Sequence, residues 1–320
     1  MGYHVHKKRR MISIVLVSAA AIVVTGCIIF AILTNNGEKN SSSHEDMTSS
    51  EQTTTVTTAS TTTVPSVTTS QTDSNIQASD EVIAAFKSVD FYRSQNLNRY
   101  LTYKNKNTKL PYEQVILNVN IGLDNAFYTN TKPISDPASI TVLVNKFNNL
   151  PSDYVPSDLV KISAENSARE LYLKKDAAEA FEKLCNDAKA QGYTIKAYST
   201  YRSYNTQLNT YNGYVKSDGQ TNADTYSAKA GFSEHQTGLA ADVQGSTGAY
   251  NQFSSTKEYK YVQDNSYKYG FIIRYPEGKQ SITGYMAEAW HLRYVGVDIA
   301  TRIHNEKITY DEYCAKYTTK

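Results

Sequence analysis

Histidine is scarce in this chain of 320 residues, which holds six of them. His4, His6 and His44 precede the folded part, so any imidazole chemistry there must draw on His235, His291 and His304. Cysteine is scarcer still. With Cys27, Cys185 and Cys314 alone, no more than one bridge can form, which excludes a dense disulfide framework. Cys185 fits the apolar face of a predicted helix, where a free thiol behaves as a small buried hydrophobe. An excess of one charge sign is also missing, since 33 basic residues face 31 acidic ones for a net +2. Setting aside Lys7, Lys8, Arg9 and Arg10 leaves 29 basic against 31 acidic residues, a net −2. That balance, without a clustered basic surface, argues against a nucleic-acid partner.

Large apolar residues are few from residue 34 to 79, a Ser/Thr-dominated stretch that includes SSEQTTTVTTASTTTVPSVTTSQT. Such a segment cannot bury enough surface to offset chain entropy, so it reads as a disordered linker that lets a domain reach outward. Ahead of it, Met11–Leu33 runs 23 residues without a charge. About 20 apolar residues span a bilayer, so residues 11–33 are expected to form a single-pass anchor in the lipid. The basic residues of segment 1–10 place that tail in the cytoplasm and the rest of the chain, from residue 34 onward, outside the cell. An alternative is a lipoprotein anchored at Cys27, because Val24-Thr-Gly-Cys27 resembles a bacterial lipobox. The apolar run continuing through Ile28-Ile-Phe-Ala-Ile-Leu33 argues against it.

Residues 80–151 read as a small subdomain or an arm. Glu81–Val89 has the spacing of a short helix, and Gln114–Ile121, rich in β-branched residues, reads as a strand. Residues 152–320 form the main domain. There, Asp176–Gln191 is predicted to be an amphipathic helix stopped at Gly192, and Tyr193–Ser199 alternates like a half-buried strand. Gly238–Val243 and Trp290–Val295 are further strands, and Val297–Lys307 has helical spacing. Helices grouped with a sheet, without regular βαβ alternation, imply an α+β fold.

Two segments carry the chemistry: Ser233-Glu-His-Gln-Thr-Gly-Leu-Ala-Ala-Asp242 and Glu288-Ala-Trp-His-Leu-Arg293. They supply His235, Asp242 and His291 as three ligands of a catalytic zinc site and Glu288 as a base for water. The seven-residue separation of His235 and Asp242 suits a loop ligand followed by a ligand on the next strand, with Gly238 permitting the turn. Asp242 shares a strand face with Ala240. A carboxylate in an apolar strand needs a charge or metal partner. Glu288 precedes His291 by three residues, so a bulge around Ala289 is required to bring both side chains to one metal. Trp290 reads as core or pocket wall and His304 as a surface residue.

The motif Ser-x-His-x-x-Gly-x-Ala-x-Asp followed by Glu-x-Trp-His resembles that of the VanY-type D-alanyl-D-alanine carboxypeptidases, zinc peptidases of the bacterial wall. The resemblance extends through Tyr201-Arg-Ser-Tyr204, Gln207, Gly270–Pro276, Gly284-Tyr285 and Arg293–Gly296, covering about residues 150–307. It implies a zinc D,D-peptidase/Hedgehog-like domain with a central antiparallel sheet flanked by helices. By resemblance, His235, Asp242 and His291 hold one Zn2+ per chain and Glu288 is the catalytic base. Arg202 then reaches the substrate near the scissile carbonyl, where its planar fork suits an oxyanion or carboxylate. Ser233, Gln207, Tyr204 and Trp290 are expected around the substrate. Two positions depart from the family pattern, where Pro is common: Ala230, and Ala289 beside the base. Both lose a φ constraint but no reacting group.

The expected activity is removal of the terminal D-Ala from peptidoglycan stem peptides ending in D-Ala-D-Ala, by a monomer. A D,D-dipeptidase or wall endopeptidase would use the same metal centre. A catalytically silent zinc domain that binds wall peptide is a further alternative, against which the presence of Glu288 counts.

Overall fold

A computed structural model of the chain describes residues 78–318. The expected tail at 1–10, anchor at 11–33, lipidation site at Cys27 and nearly all of the 34–79 linker lie outside the described residues. Among the described residues no helix is long and apolar enough to cross a membrane.

Helix α1 (Asp80–Lys87) starts where the Ser79 hydroxyl accepts a hydrogen bond from the Val82 amide. It packs with α2 (Leu97–Lys106) and α3 (Tyr112–Ile121) around Phe86, Tyr100, Leu101, Val115, Ile116 and Val119. Helix α3 occupies the stretch whose composition predicts a strand, so that expectation is corrected. Its Val115, Ile116 and Val119 face α1 and α2, whereas Leu117 and Ile121 pack with Ala315. A helix buried on two sides loses the one-sided 3.6-residue pattern, and packing overrides the β-branched preference. Gly122, at φ 111°, closes it in the left-handed conformation.

Strands β1 (Lys132–Pro133) and β2 (Asn148–Asn149) pair in parallel, and the segment around them sends Val142, Val144 and Leu150 into the main core. The antiparallel pair β3 (Leu159–Lys161) and β4 (Tyr172–Lys174) leads into α4 (Lys175–Ala190). Helix α4 buries Ala177, Phe181, Leu184, Cys185 and Ala188, the face expected from its spacing. Next come β5 (Lys196–Ser199), α5 (Tyr204–Asp218), α6 (Gln220–Tyr226), β6 (Ala240–Gln244), α7 (Lys257–Asn265) and β7 (Phe271–Tyr275). The single turn α8 (Gln280–Thr283), β8 (Glu288–Tyr294), α9 (Val297–Glu306) and α10 (Tyr310–Tyr317) complete the order.

The larger sheet among the described residues is antiparallel throughout, with order β5-β6-β8-β7. Ala241, Val243, Leu292 and Phe271 of this sheet join Phe181 and Leu184 of α4 in the core. The rings of Phe181 and Phe271, both fully buried, meet edge-on with centroids 6.0 Å apart. Burying each such side chain contributes roughly 1.5–3 kcal/mol. Because Ala241 and Val243 face this core, strand alternation turns Ala240 and Asp242 to the opposite face. That face holds the site. Cys185 and Cys314 are buried free thiols, and burial raises the thiol pKa of both.

Candidate active site

The turn that delivers His235 is a single 3-10 turn, Glu234–Thr237. Ser233 Oγ accepts from the His235 amide at 3.4 Å, and Gly238 ends the turn at φ 68°. That left-handed conformation calls for glycine, and a Cβ there would also crowd the Lys174 amide nitrogen at 3.3 Å. Strand β6 then carries Asp242 directly opposite His291 of β8. Two residues distant in sequence therefore meet as a cross-strand pair.

Glu288 reaches the same place through an irregularity in β8. Ile273 pairs with Leu292, but Tyr275 pairs with Glu288, so three residues of β8 stand against Arg274 alone. Ala289 lies within that bulge and packs against the core. The extra residues let Glu288 and His291 face one cavity. Glu288 Oε2 lies 3.6 Å from His291 Nδ1.

Each imidazole is oriented from behind. His235 Nδ1 lies 2.6 Å from the Thr200 carbonyl, which can only accept, so the ring donates there and turns Nε2 toward Asp242 Oδ2 at 3.2 Å. His291 Nε2 lies 3.3 Å from Glu234 Oε2, and its Nδ1 lies 3.1 Å from Asp242 Oδ1. Asp242 Oδ1 is buried without a hydrogen-bond partner, so this approach to Nδ1 is not an aligned hydrogen bond. The three candidate ligand atoms lie within 4.8 Å of one another. Tetrahedral zinc with bonds near 2.0–2.1 Å sets its ligand atoms about 3.3 Å apart. Two imidazole nitrogens and an orphaned carboxylate oxygen drawn within 4.8 Å of one another are a donor set whose chemistry fits the ion.

The electrostatics follow from burial against charge. Burial pushes Asp242 up, but His235 and His291 outweigh it and hold its carboxyl well below the usual range. Burial lowers His235, against the pull of Asp242. Burial also acts to lower His291, yet the carboxylates of Asp242 and Glu234 beside its two nitrogens push it up to about 10. Glu288 is pushed up to about 8, first by burial, against the attraction of His291 and with repulsion from Asp242.

These groups line a cavity of about 540 Å³. Arg202 lines it too, donating to Gln207 Oε1 at 2.7 Å and Ser199 Oγ at 2.9 Å, with Nη2 3.9 Å from Asp242 Oδ2. Gln207 also borders the cavity, yet its amide nitrogen donates to the Ala228 carbonyl at 2.6 Å. Both ends of Gln207 are thus engaged in holding Arg202 and the following loop. Trp290 forms a wall with Tyr250, ring centroids 5.4 Å apart, and Tyr250 stacks on Tyr198 at 4.7 Å. Ser233 borders the cavity as well. Tyr204 is not among the lining residues; its ring lies against Gly231. His304 is exposed and stacks on Tyr267 away from the site.

Residue-by-residue reading missed Glu234, Arg274, Arg293 and Asp311, a fully buried charged cluster directly behind His291. A signal was present in the strands FIIRY and WHLRY. An arginine among apolar strand residues requires a buried carboxylate partner.

Comparison with known proteins places the site in context. The model of the VanY family, described as D-alanyl-D-alanine carboxypeptidase, matches residues 170–297. The Bacillus subtilis (strain 168) protein named "Putative carboxypeptidase YodJ" is 41% identical over 212 residues, spanning 62% of this chain and 78% of the relative. The bifunctional D-Ala-D-Ala dipeptidase and D-Ala-D-Ala carboxypeptidase VanXYC of Enterococcus gallinarum is 33% identical over 180 residues, 53% of this chain and 91% of the relative. Among solved structures, the LdcB LD-carboxypeptidase is 43% identical with a TM-score of 0.56, covering 59% of this chain and 92% of its own.

Proposed function

The chain belongs to the VanY D-alanyl-D-alanine carboxypeptidase family, and from that premise we propose that it is a zinc-dependent carboxypeptidase releasing the C-terminal D-Ala of peptidoglycan stem peptides. The observation that carries this reading is the convergence of His235, Asp242 and His291 beside a free Glu288 in one cavity. Zinc, when bound, supplies Lewis-acid polarisation of the scissile carbonyl and lowers the pKa of water. The remaining work belongs to the side chains. Glu288 takes a proton from the attacking water as its oxygen bonds to the carbonyl carbon. The C–N bond then breaks, and Glu288 returns that proton to the departing D-Ala amine. Arg202, held by Gln207 and Ser199, meets the negative charge that develops on the carbonyl oxygen or the terminal carboxylate.

Two bonds fit a release of D-Ala. The family description points to D-Ala-D-Ala, the ending of a pentapeptide stem. The 43% identity to an LD-carboxypeptidase favours the second reading, in which the bond joins an L-centre to D-Ala in a tetrapeptide stem. The dipeptidase activity in the name of the Enterococcus gallinarum relative keeps dipeptide release as an outcome to test. The setting that accompanies this activity is a monomer anchored through residues 11–33, its catalytic region outside the cell and the 34–79 linker reaching toward the wall.

Mass spectrometry of both defined peptides after incubation with the enzyme distinguishes these activities. Loss of one alanine from the pentapeptide identifies the D,D activity, and loss of one alanine from the tetrapeptide identifies the L,D activity. Release of intact D-Ala-D-Ala, or of no alanine from either peptide, would overturn the carboxypeptidase reading.

A further inference from the structure

Glu234 sits beside a metal ligand in sequence and behind another in space, and its side chain has no solvent exposure. Its Oε1 accepts from Arg274 Nε at 2.7 Å and from Arg293 Nη1 at 2.8 Å. With that oxygen occupied twice, Oε2 faces His291 Nε2 at 3.3 Å. The two arginines are fixed in turn. Arg274 Nη1 donates to Asp311 Oδ2 at 2.6 Å, and Asn145 donates to Asp311 Oδ1 at 2.8 Å. Arg293 Nη2 donates to the Val142 carbonyl at 2.6 Å. Strands β7 and β8 therefore meet at this one carboxylate, while helix α10 and the segment before β2 hold the two arginines that grip it.

The cluster balances two positive and two negative charges, all fully buried. Desolvating such a set is costly, and well-packed apolar residues would stabilise the fold equally well or better. An apolar set cannot, however, offer His291 a fixed acceptor. The nitrogen of an imidazole that carries the proton is set by the partner of the other nitrogen.

We infer that Glu234 is a positioning residue for the metal centre. It receives the Nε2–H of His291 and so keeps Nδ1 turned toward Asp242 and the cavity, with Arg274 and Arg293 fixing the carboxylate in place. This role rests on the zinc reading above.

The test titrates zinc into the metal-free full chain, in competition with a chromophoric chelator, for the wild type and for Glu234→Asp. The aspartate keeps the charge that both arginines require and withdraws from His291 by one methylene. Zinc affinity is expected to fall about 10–100-fold, and the visible absorption of the Co2+-substituted form is expected to change, which simple destabilisation would not cause. Zinc bound within twofold of the wild type, with an unchanged Co2+ spectrum, would overturn the role. Absence of zinc binding by the wild type would instead remove the zinc reading itself. If Glu234→Asp fails to fold, 15N NMR of histidine in the zinc-loaded wild type decides. A protonated Nε2 on His291 supports the inference, and metal ligation through Nε2 overturns it.

Discussion

Replacing Glu288 by Gln separates catalysis from metal binding. The carboxylate lies 3.6 Å from His291 Nδ1 and is not needed for the proposed ligand set of His235, Asp242 and His291. Nearby carboxylates are already engaged: Asp242 is a proposed metal ligand, and Glu234 is committed to Arg274, Arg293 and His291. Loss of a positioned base costs about 10²–10⁴ in rate, or roughly 3–5 kcal/mol at 1.36 kcal/mol per decade. Glu288→Gln is therefore expected to lower kcat by that factor while zinc content, measured by atomic emission, stays at that of the wild type. Stability gives a second readout in the metal-free protein. Burial lifts the folded-state pKa of Glu288 to about 8 from an ordinary value of 4.5. The folded state then binds more protons than the unfolded one between those values, so its contribution to stability is complete below about 4.5 and is lost as pH rises through 8. The upper bound on that loss is about 5 kcal/mol, and a glutamine does not incur it. Denaturant unfolding across this pH range should show metal-free Glu288→Gln becoming more stable than metal-free wild type as pH rises. A variant with kcat within tenfold of wild type, or one that loses its zinc, would refute the assignment of the base.

Two further substitutions test other parts of the account. Arg202→Met removes the guanidinium proposed to meet the developing charge and should lower kcat about 10²–10³-fold at unchanged zinc content; unchanged kinetics would remove Arg202 from the mechanism. Gly238→Ala forces a side chain into the left-handed region at φ 68°, costing about 1–2 kcal/mol. For a domain of this size that lowers Tm by roughly 2–8 °C, and a melting curve with unchanged Tm would contradict the turn argument.

Much of the site was legible because its parts lie on simple elements. The turn before β6 and the alternation within it placed Asp242 on one face, and the need for a bulge near Ala289 followed from the spacing of Glu288 and His291. The support behind the site was less legible. Glu234, Arg274 and Asp311 come from segments separated by 40 and 37 residues, so spacing along the chain does not reveal that they share one pocket. Helix α3 was misread for a different reason. Its buried residues serve two separate clusters, which fills in the gaps by which a helix is recognised. Tyr204 was expected at the substrate, yet it does not line the cavity.

The central claim is that a zinc ion held by His235, Asp242 and His291 drives release of D-Ala. It is tested most directly by digesting defined tetrapeptide and pentapeptide stems with enzyme as purified, after chelation, and after chelation followed by added zinc. The account expects loss of a single alanine, abolished by the chelator and restored by about one equivalent of zinc per chain. Hydrolysis that persists in the fully metal-free enzyme would contradict it.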